Sequence, residues 1–146
     1  MKKCFVVAAM AACVMALSSC GSKAPDINGR WDVVSINGQP TVCYEIALPG
    51  LVFDTENQRV YGYTGVNRCN GSFTIDGTEI KFGEVATTMM ASQIEAMDQE
   101  RGFLDALEAS VKAVAVKDGV SLRNDKGKEV LHLVPFRKAE DASDEK

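Results

Sequence analysis

The chain has 146 residues, 46% hydrophobic and 25% charged, with 16 Lys and Arg against 20 Asp and Glu and a net charge of −4. This length suits one ordinary domain, and an acidic balance without a basic cluster among aromatics argues against nucleic acid and anionic lipid surfaces as partners. One histidine, His132, and five cysteines leave few parts for acid/base catalysis or for a closed zinc site.

Lys2 and Lys3 precede an apolar run from Phe5 to Leu17, which closes in Leu17-Ser18-Ser19-Cys20. The layout is that of an export signal. The run is too short to span a bilayer, which takes about 20 apolar residues. The last four residues resemble the lipobox of bacterial lipoproteins, which implies cleavage between Ser19 and Cys20 and a lipid on the Cys20 sulfur. The alternative is an ordinary secretory signal that leaves Cys20 as a free thiol. Lipidation would make Cys20 the membrane contact, because two or three acyl chains hold a protein where one binds only marginally. Residues 1–19 are then signal, 20–27 lipidated cysteine and polar linker, 28–136 the folded domain, and 137–146 a charged, disordered tail. Gly21 after the anchor, with no acidic run nearby, resembles an outer-membrane sorting signal and favours the periplasmic side.

Trp31 to Ile36 alternates and stops at Asn37-Gly38, as a strand closed by a turn does. Residues 39–50 give no clear pattern. Leu51–Asp54 and Arg59–Tyr63 predict a hairpin whose paired positions sum to about 113, and Cys43 and Cys69 sum to 112. Extrapolating that register sets the two thiols opposite each other as a candidate disulfide, worth roughly 3.5 kcal/mol for a loop of about 27 residues. The alternative is two thiols acting as small apolar side chains. Phe73 and Ile75 share a face with Ile80 and Phe82 across a turn at Asp76-Gly77.

Ser92-Gln93-Ile94-Glu95 has the form of a capping box, with Ser92 as N-cap and Glu95 reaching back to it. The helix it predicts has Ile94, Met97, Phe103, Leu104 and Leu107 on or near its apolar side. Strands follow at Val111–Val116, Val120–Arg123 and Glu129–Val134. One helix among short strands predicts a mostly β fold, a small antiparallel β-barrel or strongly curved sheet with the helix packed across it.

Gly29-Arg30-Trp31, Gly62 to Gly71 (GYTGVNRCNG), Lys81-Phe82-Gly83, Ala86 to Ala91 (ATTMMA) and Glu100 to Leu107 (ERGFLDAL), in this order, resemble the META-domain family, also called HslJ-like. The likeness covers roughly Asn28 to Pro135. It implies a small antiparallel barrel crossed by its helix, and an association with the bacterial envelope, envelope stress and antibiotic tolerance. It implies no catalytic or binding residue. The chain departs from the family at Val66 and Ser92, where cysteines are common, so the family's bridge does not carry over.

His132 alternates with leucines in a predicted strand and reads as structural. Met89, Met90 and Met97 suit either soft Cu(I) or, more simply, core gaps beneath a helix. Glu79, Glu84, Glu95, Asp98 and Glu100 read as a solvated face. No metal, cofactor or catalytic set is expected. The leading expectation is a noncatalytic envelope lipoprotein that binds or assembles with another envelope protein. Alternatives are a carrier of a small apolar ligand such as a lipid, with Tyr61, Tyr63, Phe82 and Phe103 as lining, and an inhibitor using the Gln39–Gly50 loop.

Overall fold

The computed structural model describes residues 23–137. The expected lipobox, with Ser19 and Cys20, and residues 138–146 of the expected tail lie outside the described residues. The elements in chain order are β1 (Gly29–Ile36), β2 (Gln39–Pro40), β3 (Gly50–Asp54), β4 (Arg59–Tyr63), β5 (Arg68–Asp76), β6 (Glu79–Phe82), β7 (Ala86–Thr87), α1 (Ile94–Ala109), β8 (Lys112–Val116), β9 (Gly119–Arg123) and β10 (Glu129–Pro135).

Every pairing is antiparallel. The sheet runs β10-β9-β8-β6-β5-β4-β3-β1, and β10 pairs back onto β1, so the sheet closes into a ring. Closure removes the unpaired edges that an open sheet would expose. Short β2 extends β1 and short β7 lies on β5. The weakest joint is between β6 and β8, where only Glu79 and Lys112 are paired, flanked by Ile80 N–H to Val111 O and Ala113 N–H to Thr78 O.

The predicted Leu51–Tyr63 hairpin holds its register, with Leu51 opposite Gly62 and Asp54 opposite Arg59. In the next hairpin Phe73 faces Phe82 and Ile75 faces Ile80. Asp76 pairs with Glu79, so the turn is Gly77-Thr78, one residue later than expected. Gly77 takes a φ of 59°, which glycine adopts without steric cost.

Inward positions fill the barrel. Phe53, Phe73, Leu51, Leu122, Leu131 and Leu133 are fully buried, with Phe53 and Phe73 edge to face at 5.0 Å. Helix α1 lays Ala96, Phe103, Ala106 and Leu107 onto β10 and β1 at helical spacing. The interior is therefore a packed core. Packing also starts before residue 28. Ile27 is buried, its carbonyl accepts the Trp31 indole N–H at 2.7 Å, and Lys23 O accepts from Ala115 N–H, so Lys23 and Ile27 are tied to the barrel, where the expectation was a free linker.

The capping box does not form. Gln93 is the N-cap, in extended conformation and without a side-chain cap, so the helix starts one residue later than expected. Ser92 gives its hydroxyl to the Glu45 carboxylate instead. Glu95 becomes the second helical residue and stays exposed, where its charge still suits the positive end of the helix dipole. Ile94 is exposed instead of lying on the apolar side.

His132 on β10 stands between two carboxylates, with Nε2 2.9 Å from Asp118 Oδ1 and Nδ1 3.0 Å from Glu129 Oε2. Burial opposes its charging, but the hydrogen bonds and charges of Glu129 and Asp118 together outweigh burial and raise its pKa. A raised folded-state pKa stabilises the fold fully below the unfolded value of about 6.5 and loses that contribution as pH rises through the folded value. The stability difference between the native chain and His132→Gln should shrink from about pH 5.5 to about pH 8.5, by under ~1 kcal/mol because the pair is partly solvated. Urea unfolding across that range checks it; a difference that grows with pH would show that His132 is not held charged.

Candidate functional site

Two consecutive residues of α1 hold the loops at one end of the barrel. Gln99 clasps the backbone of residue 42 on both sides, accepting Val42 N–H at 2.8 Å and donating to Val42 O at 2.9 Å. This pins the irregular segment between β2 and β3. Glu100, only 8% exposed, turns inward. Its carboxylate accepts from the Thr64 hydroxyl and from Asn67 Nδ2, at 2.8 Å to Oε2 and 3.1 Å to Oε1.

Thr64 and Asn67 bound the turn between β4 and β5. Asn67 N–H reaches Thr64 Oγ1 at 2.9 Å, and Thr64 N–H reaches Asn67 O at 2.8 Å. Asn67 Oδ1 accepts from Met90 N–H at 2.7 Å and from the Thr88 hydroxyl at 2.9 Å, and Nδ2 also donates to Met90 O. One buried amide therefore joins helix, turn and the segment after β7. No cation pairs with Glu100 among the described residues. The buried polar side-chain atoms there are all satisfied, as a stable buried network requires.

That scaffold displays an unusual surface. Met89 is 94% exposed, Ile46 86%, Ile94 76% and Met90 66%. The Ser92–Glu45 hydrogen bond ties their two segments together. Beside them a groove of about 490 Å³ is lined by Ile46, Tyr63, Arg68, Thr88 and Met90, among others. A second, of about 330 Å³, shares Ile46, Tyr63 and Arg68 and runs on over Val52 to Arg30 and Phe136. Arg30 stacks on the Phe136 ring at 3.6 Å. Asp32, also in this groove, has its pKa raised by burial, against the lowering effect of Arg30.

Several expected roles fall elsewhere. Cys43 and Cys69 are both free, Cys43 exposed and Cys69 buried. The predicted register ends at Gly50 opposite Tyr63. The chain then reverses at residues 64–67, and β5 returns along β4 with Cys69 beside Gly62 instead of continuing toward Cys43. Burial first, and the Glu100 charge second, push the Cys69 thiol up to about 11. Met89 and Met90 do not enter the core. Phe103 is core, Tyr61 faces outward, and Tyr63 and Phe82 border grooves. Glu100 does not belong to a solvated face; its spacing from Ala96, Phe103 and Leu107 places it on the buried side, which was the available signal. No cluster of three or more His, Cys, Asp or Glu side chains suited to a metal ion occurs among the described residues.

A closed antiparallel barrel crossed by one helix, with its loops tied by a buried polar network, defines a small β-barrel domain. The META domain matches residues 25–135, and the chain belongs to that family. Its fold is also similar to a protein of Burkholderia xenovorans solved by NMR (19% identity, 77% of this chain and 85% of that one, TM-score 0.60). A DUF4847-family protein of Bacteroides vulgatus, known from a crystal structure, is similar as well (13% identity, 77% and 95%, TM-score 0.56). A comparison with curated proteins returned no match.

Glu100→Ala would leave Thr64 and Asn67 with buried unpaired donors and should lower unfolding free energy by about 2–4 kcal/mol. Hydrogen exchange should accelerate at residues 64–67 and 88–90; unchanged exchange there would show that the carboxylate does not hold those loops. Under non-reducing conditions Cys43 should react with a thiol reagent at pH 8 while Cys69 reacts only on unfolding, and a bridged Cys43–Cys69 peptide by mass spectrometry would refute this.

Proposed function

We propose that this chain is a noncatalytic lipoprotein of the bacterial envelope, anchored through Cys20, whose barrel is a binding or assembly module for another envelope protein. The observation that carries the reading is the exposure of four large apolar side chains, Ile46, Met89, Met90 and Ile94, on two segments joined by the Ser92–Glu45 bond, with Ile46 and Met90 lining one groove and the buried network holding the chain at Met90. Contiguous exposed apolar surface marks interaction sites, and methionine adapts to a partner's shape. A rigid support lowers the entropy lost when such a surface docks. The lipobox supplies the anchor, outer-membrane and periplasm-facing on the sorting pattern after Cys20, and an acidic domain gives the membrane no other reason to hold it. For catalysis, His132 has both ring nitrogens occupied by carboxylates.

A second reading, a carrier of a small apolar ligand, is left with the groove where Phe82, Val85 and Leu104 meet beneath α1, about 540 Å³, because the barrel interior is filled. Native mass spectrometry of the chain purified from an envelope would show added small-molecule mass under that reading.

A photo-crosslinking residue at position 90 of the anchored chain should capture one discrete envelope protein, and Ile46→Glu should reduce the yield at least about tenfold, since such a change buries a charge in an apolar contact. Recovery of only bulk envelope proteins would end the assembly reading. Cys20→Ala should release the chain from the membrane fraction.

A further inference from the structure

Beyond the apolar loops, the outer face of β1, β3, β4 and β5 carries a pattern of its own. Arg30, Val52, Tyr61 and Asn70 lie side by side across the four strands, and the next outward row sets Asp32, Gly50, Tyr63 and Arg68 in line. Arg59 joins the face from β4, its guanidinium 3.3 Å from Asn70 Oδ1. Three of the six arginines thus collect on one face of an acidic chain, and the four strands contain no lysine. None of the three makes an ion pair among the described residues. Val52 and Tyr61 are exposed between them.

Arginine and tyrosine are the residues that interfaces enrich, while lysine and glutamate are depleted there. The arginine fork donates to carboxylates in a fixed plane, and its weak hydration makes its desolvation less costly than that of lysine. Arg30 and Arg68 border one groove, with Val52, Leu48 and Tyr63 between them. Three strand spacings and a two-residue offset separate them by on the order of 15 Å, about four or five residues of extended chain. A uniform polyanion fits this groove poorly, because Asp32 lies within it and its floor is apolar.

We propose that this face binds an extended acidic segment of the partner protein, one in which glutamate or aspartate alternates with aliphatic residues. Carboxylates meet Arg30 and Arg68 at the two ends, and aliphatic side chains lie over Val52 and Tyr63. The inference rests on the assembly reading and names the chemistry of its partner.

The test uses the full chain in neutral detergent and a fluorescein-labelled peptide alternating glutamate and valine, followed by anisotropy. The peptide should bind, weaken as salt rises, and lose at least about tenfold in affinity to the R30Q/R68Q variant, as paired interface charges do when their partner is removed. Because Arg30 also stacks on Phe136, Arg68→Gln alone is measured too and should cost about threefold, while K112Q/K117Q, on the opposite side of the ring, should change nothing. Equal binding of the glutamine–valine peptide, unchanged affinity in R68Q and R30Q/R68Q, or stronger competition by heparin or short-chain phosphatidylglycerol than by unlabelled peptide would overturn the proposal. A photo-crosslinked partner retained undiminished by R30Q/R68Q would remove this inference and leave the assembly reading standing. Absence of any discrete partner, with the peptide still bound, would remove the assembly reading and leave the acidic-peptide site.

Discussion

The arrangement of the loops depends on one buried carboxylate. Glu100 lies in the interior with no cation beside it among the described residues, and a carboxylate so placed is tolerated only when donors surround it. Thr64 and Asn67 supply those donors, and the other end of the Asn67 amide takes the backbone at Met90 and the Thr88 hydroxyl. Each bond removes a way for another to move, so the turn after β4 and the segment after β7 are specified jointly. Gln99, one residue earlier on the helix, does the same for the segment around Val42 through two backbone bonds. The helix is thus both a packing element and a clamp.

Why the helix can act as a clamp follows from the barrel. Ring closure places the β4–β5 turn, the segment following β7 and the approach to β3 at one end of the sheet, within reach of α1. The core beneath it is dense, with Phe53, Phe73 and Phe103 filling the centre, so α1 has little freedom to shift. Surface that would cost free energy on a mobile loop becomes a preorganised face when the loop is fixed. Ile46, Met89 and Met90 can remain in water because the chain there satisfies its polar groups in the network and does not need those side chains for cohesion.

Much of the fold was legible because local rules and the tertiary outcome agree. The Leu51–Tyr63 register, the Phe73–Phe82 pairing and the helix through Phe103 and Leu107 follow from two-residue and 3.6-residue periodicity, and each survives in the ring. Where local rules failed, a distant partner had intervened. Ser92 has the chemistry of a cap, yet Glu45, 47 residues away, takes its hydroxyl. Cys43 and Cys69 have the right arithmetic for one hairpin, but β5 belongs to the next pairing. Glu100 looked like its acidic neighbours Glu95 and Asp98, and only its helical phase distinguished it. Met89 and Met90 looked like core because methionine is common there, while the short connection from β7 to α1 leaves them outside.

The sequence by itself determined the mostly β character with one helix, the main hairpins, and the resemblance that family membership upholds, since each rests on neighbours within a few residues. Tertiary structure alone decided closure of the sheet through β10 on β1, the burial of Glu100, the separation of the two thiols, and the gathering of Arg30, Tyr61 and Arg68 on one face. Those outcomes depend on which strands lie side by side, and strand order is set by contacts between residues tens of positions apart, which no local pattern encodes.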